Sequence, residues 1–466
     1  MDSRYFDLNI QRVLEHWTVS EALREVIANA LDEQALTDTT EPEIYQDAEG
    51  RWHVRDHGRG LRYEHFTQNE DAEKLAQPNL VIGKFGVGLK DAIATFDRHR
   101  IGVVIRSKHC DITIDSVAKH GFEDVLTLHA VVDIPTDPNL VGTDFILTGL
   151  SQDDVDRAKD FFLRYAGDTE LEQTRYGSVL RRDGRSARIY VNGLRVAEEP
   201  NFLFSYNITS LTKALRAALN RERSNVGRQA YSDRVKAILL DCNSPDVADR
   251  LAADLASFST GTNHDETTWI DVAVHACRVL NAHEKVVFVT ATQIYLSAGL
   301  LTRARGDGYR VVVVPETVAL KLPQLEDIEG NPLRDINEYR EEWNRSFEYD
   351  FVPPEELTES ERAIYALTVP LLELVREQAK GVKVVLISRT MRINAYDDNE
   401  AVGVWDPQES RIVIKRDQLD RPESYLATLL HEIGHALSNA PDVDESFERA
   451  LTQLLGRTGT AAVQHD

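Results

Sequence analysis

The chain has 466 residues, 42% of them hydrophobic and 28% charged, and its formal net charge is −24. This length predicts two to four domains, and the acidic balance argues against a protein that binds nucleic acid over its whole surface. The N-terminal residues do not have the pattern of a secretory signal, and no apolar run is long enough to span a bilayer. The cysteines do not have the spacing of a metal-binding or redox motif. We therefore expect a cytoplasmic protein without membrane contact.

The first predicted element is a helix over residues 20–34, SEALREVIANALDEQ, with Ser20 as its N-cap. Its apolar face follows the helical period through Leu23, Val26, Ile27, Ala30 and Leu31. The opposite face aligns Glu25, Asn29 and Asp32, spaced i, i+4 and i+7. Taken alone, such a triplet is typical of the solvated side of an amphipathic helix.

Two glycine-rich stretches follow this helix. PEIYQDAEGRWHVRDHGRGL predicts two strands joined by a turn and leading to Asp56, Gly58 and Gly60. VIGKFGVGLKDAIA predicts a glycine loop that opens a helix, where unpaired N–H groups can bind phosphate. On its own the second stretch is weak evidence, because a flexible loop gives the same letters.

In this order the stretches resemble the GHKL ATPases, which include DNA gyrase, heat-shock chaperones, histidine kinases and the MutL mismatch-repair proteins. EVIANALD matches the family's N-box, and DHGRG and GKFGVG match its two glycine boxes. VGTDFILTGL, residues 141–150, matches the strand whose Gly-Thr supports the adenine pocket. The resemblance covers the first third of the chain and implies a Bergerat-fold domain that binds ATP with Mg²⁺.

The resemblance implies a role for each matching residue. Asn29 would bind Mg²⁺, a hard cation that prefers oxygen ligands, and Asp56 with Thr143 would bind the adenine. The glycine amides would contact the phosphates, with Lys84 or Lys90 adding charge. The expected nucleotide-binding set is Asn29, Asp32, Asp56, Gly58, Gly60, Gly83, Lys84, Gly86, Val87, Gly88 and Thr143.

Glu25, one turn before Asn29, is the predicted catalytic base of ATP hydrolysis. A carboxylate there can orient and deprotonate the water that attacks the γ-phosphate. By the same resemblance, the polar residues 62–82 would form a lid over the nucleotide. No phosphoacceptor helix is recognisable ahead of the site, so hydrolysis used as a switch is favoured over histidine-kinase signalling.

The middle of the chain carries a basic segment, 175–236, with thirteen Lys or Arg against five Asp or Glu. A solvated basic face, phosphate contact across a domain boundary and a nucleic-acid patch all explain this excess. In hydrolytic GHKL proteins a basic residue of the second domain contacts the γ-phosphate. Arg221, Arg223 and Arg228 are candidates for that role, and surface ion pairing is an equal alternative for them.

The sequence predicts an α+β multidomain protein. KVVFVTA and YRVVVVPE are typical buried strands in an alternating helix–strand region, in which His275 and Cys277 are expected to pack rather than react. The polar stretch 325–361 is the candidate boundary before the last domain. The expected domains are a GHKL α/β sandwich (1–155), a transducer-like α+β domain (156–240), an α/β connector (241–330) and a zincin-like domain (331–466).

Near the C-terminus, LLHEIGHALSN (429–439) contains the pattern H-E-x-x-H within a helical apolar period. His431 and His435 are four residues apart and share a helix face, so both imidazoles can bind one metal ion. Glu432 lies beside them and is the predicted general base toward a metal-bound water. Gly434 lacks a side chain where another element could pack closely. This motif predicts a catalytic Zn²⁺ site.

A catalytic zinc site takes three protein ligands, and the third is expected from the segment after the motif. Glu448 is the predicted ligand, with Glu445, Asp444 and Asp442 as alternatives. VKVVLISR and SRIVIKRDQL predict strands ahead of the motif. Over about residues 360–460 the chain resembles compact zincin metallopeptidases of the gluzincin type, in which an edge strand pairs with an extended peptide substrate.

Together the two ends predict an ATP-gated zinc peptidase that acts on a protein substrate, with an ATP-dependent homodimer expected by analogy. The combination also suggests a role in bacterial stress or anti-phage defence. The alternative is an ATP-driven clamp or chaperone-like machine on nucleic acid or protein, whose C-terminal domain binds metal without cleaving. The basic segment 175–236 is its best support, and nucleic acid is the less favoured partner.

Overall fold

The computed structural model divides the chain into two units, Met1–Val279 and Leu280–Asp466. The division falls inside the predicted connector 241–330, and the polar stretch 325–361 lies within the second unit. Both units mix helices with sheets, so the predicted α+β class with more than one unit is confirmed at that level. The residues that the structure describes are 4–8, 17–66, 72–77, 80–82, 88–119, 122–219, 226–261, 263–394 and 399–464.

An antiparallel sheet of seven described strands organises the N-terminal part of the first unit. Its strands are β1 (Arg4–Asp7), β2 (Glu43–Gln46), β3 (Trp52–Arg55), β4 (Gly102–Ser107), β5 (Asp111–Lys119), β6 (Phe122–Asp133) and β7 (Thr143–Thr148). They lie in the order β1-β6-β5-β4-β7-β3-β2. The β2–β3 hairpin pairs Gln46 with Trp52 across its turn, which confirms the predicted pair of strands.

Helices pack against this sheet through one apolar core. Ile27 of the first helix, Phe96 of the third and Leu147 of β7 are buried in the same cluster. The first helix, which carries Glu25 and Asn29, lies beside β3. The helices of this part are α1 (Val19–Thr37), α2 (Ala72–Ala76), α3 (Gly88–Arg98), α4 (Gln152–Lys159) and α5 (Leu163–Ala166).

Helix α1 is capped by Thr18, so the predicted N-cap Ser20 is wrong. The Thr18 hydroxyl accepts a hydrogen bond from the Glu21 N–H at 3.3 Å, and the Glu21 carboxylate accepts one from the Thr18 N–H at 2.8 Å. This reciprocal pair is a capping box, which needs Glu or Gln three residues after the cap. Ser20 has Leu23 at that position and lies buried in the first turn.

A second sheet of the first unit follows, with strands β8 (Glu170–Thr174), β9 (Gly177–Leu180), β10 (Ala187–Val191), β11 (Leu194–Glu199) and β12 (Ser205–Ile208). Its order is β11-β10-β12-β9-β8, and only the β10–β12 pair is parallel among these strands. The Asn-Gly pair within the alternating stretch 187–208 predicts a hairpin turn, and this turn joins β10 to β11, with φ of +48° at Asn192 and +79° at Gly193. The following helices are α6 (Lys213–Ala218), α7 (Ser232–Asp241), α8 (Pro245–Ala256) and α9 (Ile270–His283).

The second unit contains two small sheets. The two predicted strands, β13 (Val286–Val289) and β14 (Arg310–Val313), form a parallel pair. The predicted burial holds for all of β13, whereas in β14 only Val312 is buried. The strands β15 (Val384–Ser388), β16 (Gly403–Asp406) and β17 (Arg411–Lys415) lie in the order β15-β17-β16, so β16 is an edge strand. The described helices of the second unit that follow α9 are α10 (Ala291–Leu296), α11 (Ala298–Gly306), α12 (Glu316–Ala319), α13 (Ile336–Ser346), α14 (Glu359–Tyr365), α15 (Thr368–Leu374), α16 (Pro422–Ser438) and α17 (Glu445–Gln464).

Helix α16, which carries H-E-x-x-H, packs on the three-stranded sheet. Its residues Leu429 and Ile433 share a buried cluster with Ile412 and Ile414 of β17. This burial confirms the predicted apolar period of the helix. Among the described helices, none is both long and apolar enough to cross a membrane.

Candidate nucleotide and metal sites

The first candidate site is a cavity of about 440 Å³ beside helix α1. Four members of the predicted nucleotide-binding set, Asn29, Asp56, Gly60 and Thr143, line it. They come from α1, from the chain after β3 and from the start of β7. The fold therefore brings together residues that are up to 114 positions apart in the sequence.

Asp56 and Thr143 form the inner wall of this cavity. One carboxylate oxygen of Asp56 accepts hydrogen bonds from the N–H groups of Gly58 at 2.9 Å and Thr143 at 3.2 Å. Asp56 is only 6% exposed, and this burial raises the pKa of its carboxyl against the opposing effect of these hydrogen bonds. At Gly142, where φ is +83°, a Cβ atom would lie 1.9 Å from the Asp56 carbonyl oxygen, so glycine is required.

Glu25 lies in a buried contact rather than on a solvated face. It is 2% exposed, and its Oε1 is 3.1 Å from Nη2 of Arg24, which is itself 1% exposed. Its other oxygen faces the start of α3, since a Cβ at Gly88 would be 2.5 Å from Oε2. The Arg24 guanidinium is held over the Trp17 and Phe161 rings at 5.4 and 5.2 Å. These contacts fix the orientation of the Glu25 carboxylate.

Asn29 and Asp32 are bridged by a residue that the sequence did not single out. Lys74 of α2 donates from Nζ to Asn29 Oδ1 at 3.2 Å and to Asp32 Oδ2 at 2.7 Å. Asp32 Oδ1 also accepts from the Ile82 N–H. Lys74 lies within the predicted lid segment 62–82, but lysine is common in such polar stretches, so no sequence signal marked it.

Glu33 and Arg59 also border the cavity and were not predicted. The Arg59 guanidinium and backbone N–H both donate to Glu33, at 2.7 to 3.0 Å. Burial alone would raise the pKa of Glu33, but these hydrogen bonds outweigh it and hold that pKa below its usual range. Gly58 allows this approach, because a Cβ there would lie 2.3 Å from Glu33 Cγ. Glu33 follows Asn29 by four residues, so helical spacing could have indicated it.

Several predicted residues lie outside the described residues, namely Gly83, Lys84, Gly86, Val87, Arg221 and Arg223. The remaining γ-phosphate candidate, Arg228, forms ion pairs with Asp265 and Glu199. This is the surface ion-pairing alternative.

Ion pairs also account for other described cations of the basic segment 175–236. Acidic residues beyond the segment provide the partners, and the pairs are Arg175–Asp241, Arg188–Asp160, Arg195–Asp160 and Lys236–Asp271. These pairs offset part of the positive excess of the segment. Elsewhere in this unit, His275 and Cys277 pack as predicted: His275 contacts the Cys242 carbonyl oxygen at 2.6 Å and Cys277 is fully buried.

The second candidate site lies on α16, where three metal-binding groups converge. The two Nε2 atoms of His431 and His435 are 3.2 Å apart, and Asp442 Oδ1 is 3.1 Å from the first and 3.3 Å from the second. The third group is thus Asp442, which the sequence offered as an alternative to Glu448. Glu448 is exposed on α17 and is not part of this group.

These distances fit a tetrahedral Zn²⁺ ion. With Zn–N and Zn–O bonds of about 2.0–2.1 Å, the edges of a tetrahedron are about 3.3–3.4 Å, close to all three observed separations. The His435 tautomer also fits. Its Nδ1 lies 2.9 Å from the Ala440 carbonyl oxygen, which can only accept, so Nδ1 carries the proton and Nε2 keeps its lone pair for a metal.

Helix α17 packs against the two imidazoles through Phe447. The Phe447 ring stacks on His435 with centroids 4.2 Å apart and meets His431 edge-on at 4.9 Å. The close approach depends on Gly434, where a Cβ would lie 3.1 Å from both Phe447 and Leu451. The predicted reason for glycine at this position is confirmed.

Glu432 is 5% exposed and faces the edge strand β16. A Cβ at Gly403, the first residue of β16, would lie 2.8 Å from Glu432 Oε1. Burial raises the pKa of Glu432 to about 8; a hydrogen bond from the Trp405 backbone acts against this rise, and the Asp442 charge adds to it. A divalent cation on the histidines would favour the ionised form. The site thus places three side chains that could hold a metal ion next to a buried carboxyl group.

Comparison with known proteins identifies relatives in one organism. Residues 153–245 match the family model described as the Mycoplasma pneumoniae MPN635 N-terminal domain. An uncharacterized protein of Mycoplasma pneumoniae is 38% identical over 241 residues, which are 51% of this chain and 96% of that protein. A second uncharacterized protein of the same organism is 25% identical over 337 residues, 67% of this chain and 93% of that protein. Because it matches nearly all of the first relative at this identity, the chain belongs to the same family as that Mycoplasma pneumoniae protein.

Proposed function

We propose that the chain is a zinc-dependent peptidase whose activity is gated by an ATP-binding and ATP-hydrolysing GHKL domain. The observation that carries the proposal is the triangle of His431, His435 and Asp442 next to the buried Glu432. Two imidazoles, one carboxylate and a separate buried carboxyl group form the donor set of a catalytic rather than a closed structural zinc site.

Each residue of this site has a definite task in peptide hydrolysis. When bound, Zn²⁺ would act as a Lewis acid and raise the acidity of water. Glu432 would accept the proton of the attacking water and transfer it to the leaving amine. The Trp405 backbone N–H and the burial against Gly403 orient its carboxylate toward that task. Phe447 holds the imidazoles in their metal-binding orientation.

The edge strand β16 supports a protein as the substrate. Among the described strands it pairs only with β17, and its other edge can take an extended peptide by β-augmentation. Gly403 begins this strand directly beside Glu432. A peptide bound along β16 would therefore pass close to the general base. This arrangement favours a zincin-like fold for the C-terminal domain.

The cavity of the first unit supports nucleotide binding. The Asp56 carboxylate lines the cavity and can accept a hydrogen bond from a ligand donor such as the adenine amino group, and Asn29 and Asp32 carry the kind of oxygen ligands that Mg²⁺ prefers. Glu25, oriented by Arg24, is the proposed base for ATP hydrolysis. The antiparallel sheet covered by α1 and α3 favours the Bergerat fold for this domain.

The test is cleavage of an unfolded protein mixture by zinc-loaded protein, with and without Mg-ATP. Asn29→Ala removes the proposed Mg²⁺ ligand, and Glu432→Gln removes the proposed base. Glu423→Gln, an exposed change on the same helix α16, serves as the matched control. We expect cleavage that requires ATP, that is lost in the first two variants and that is retained in the third.

Each alternative result has a clear meaning. Cleavage without ATP that still depends on Glu432 would leave a peptidase and refute the gating. Cleavage by Glu432→Gln at the wild-type rate would refute the assigned base. ATP hydrolysis with no cleavage would favour the clamp, whose C-terminal domain binds metal only. Ion pairs with acidic residues offset part of the basic segment, which weakens the case for nucleic acid as the partner of such a clamp.

A further inference from the structure

A lysine ammonium lies where the proposed function requires a metal ion. Lys74 Nζ is 2.7 Å from Asp32 Oδ2 and 3.2 Å from Asn29 Oδ1. The side chains of Lys74 and Asp32 are only 15% and 1% exposed, so water screens this pair weakly. A carboxylate and an amide oxygen that both face one cation are the kind of ligands that Mg²⁺ takes in nucleotide sites.

A second ion pair fixes the helix that carries Lys74. The adjacent Glu73 is 2.8 Å from Arg59, and the same guanidinium is 2.9 Å from Glu33 of α1. Helix α2 is thereby bound to α1 through Lys74 and to the glycine turn through Glu73. With only five residues, Ala72–Ala76, it has little helical stability of its own. The two ion pairs therefore hold α2 against the cavity.

The ammonium and a Mg²⁺ ion cannot share these oxygens. Both are cations, and at hydrogen-bond distance from the same two atoms they would lie within a few ångströms of each other in a poorly solvated cavity. Helix α2 therefore has two states, one with the Lys74 ammonium on these oxygens and one with it withdrawn. Mg²⁺ can shift the balance between them only by the difference in its affinity for the two states. A nucleotide without Mg²⁺ makes no such demand on Asn29 and Asp32.

We propose that Lys74 is the resident cation of the metal subsite, so that Mg-nucleotide binds only when α2 withdraws its ammonium from Asn29 and Asp32. This inference rests on the proposed nucleotide site and adds its regulation. The affinity for Mg-nucleotide is set by the cost of releasing α2. Anything that favours the released state of α2 would raise that affinity.

The test measures binding of a fluorescent ATP analogue in excess Mg²⁺ and in EDTA, with full-length protein. The quantity compared is the ratio of the dissociation constant in EDTA to that in Mg²⁺. In Lys74→Met this ratio is expected to rise at least about tenfold, because a charge-assisted contact no longer competes with the metal. Lys74→Arg keeps the cation and should leave the ratio near the wild-type value. Lys108→Met, an exposed change on the same unit, is the control.

Two results would overturn the inference alone. Lys74→Met could weaken binding by the same factor in Mg²⁺ and in EDTA, which would make Lys74 a phosphate ligand. Both dissociation constants could also stay at their wild-type values, which would make the contact incidental. Wild-type protein that binds no nucleotide in either buffer would overturn the proposed nucleotide site together with the inference.

Discussion

Substitution of Asp442 tests the proposed metal centre most directly, because the candidate group in the structure contains Asp442 whereas the predicted ligand set contains Glu448. The carboxylate oxygen lies 3.1 and 3.3 Å from the two imidazole nitrogens, which leaves room for one Zn²⁺ ion bound to all three. Loss of a partner outside the ligand shell typically weakens metal binding by about 10–100-fold. Removal of a charged ligand in Asp442→Ala should therefore weaken zinc binding by at least about 100-fold.

The assay is competition between the purified protein and a chromophoric zinc chelator, with bound metal counted by elemental analysis. Glu448→Ala is the matched control, since Glu448 is exposed and outside the group, and its zinc affinity should stay within about twofold of the wild type. Asp442 is 45% exposed, so the metal-free variant should melt close to the metal-free wild type. If Asp442→Ala retained zinc and Glu448→Ala lost it, the reasoning would be refuted and Glu448 would be the third ligand, as the sequence predicts.

Three further predictions concern stability. Glu266 is fully buried and accepts hydrogen bonds from the N–H groups of residues 203 and 204 and from a tyrosine hydroxyl. Because these donors lose their partner, Glu266→Ala should lower the free energy of unfolding in guanidinium by at least about 3 kcal/mol. A loss below about 1 kcal/mol would contradict this. Hydrogen bonds from Arg416 lower the pKa of Glu361 to about 2, below its unfolded value of 4.5. This ion pair should contribute roughly 1–2 kcal/mol to the free energy of unfolding above pH 4.5, after solvent screening, and the contribution should disappear as the pH falls toward 2. The Glu361→Gln variant should lack this pH-dependent contribution in the same acid titration. Val443 has φ of +63° and is 92% exposed, so Val443→Gly should raise the free energy of unfolding by up to about 1 kcal/mol; a lower melting temperature would show that the backbone is unstrained.

Local patterns in the sequence predicted most of the elements near the two sites. Helical spacing placed His431 and His435 on one face of α16, and the alternation around the Asn-Gly turn predicted the β10–β11 hairpin. Both predictions rest on periods of a few residues, which the backbone geometry fixes without help from the rest of the chain. The prediction at Ser20 was wrong for an equally local reason, because the capping box two residues earlier was overlooked.

Contacts between distant segments needed the tertiary structure. Lys74 meets Asn29 only because α2 folds back onto α1 across 45 positions, and no local period indicates that approach. The choice of Asp442 over Glu448 depends on how the chain turns after α16. Asn439 adopts a left-handed conformation, with φ of +52°, and the short turn that follows returns Asp442 to the histidines before α17 begins.

The sequence by itself therefore determined which residue types are available to bind a metal or a phosphate and which of them share a helix. The tertiary structure decided which of them meet and which cation or carboxylate completes each group. The physical reason is that hydrogen bonds and ion pairs act over about 3 Å, whereas the residues that form them here lie up to 87 positions apart in the sequence. Only the fold of the intervening chain sets those distances.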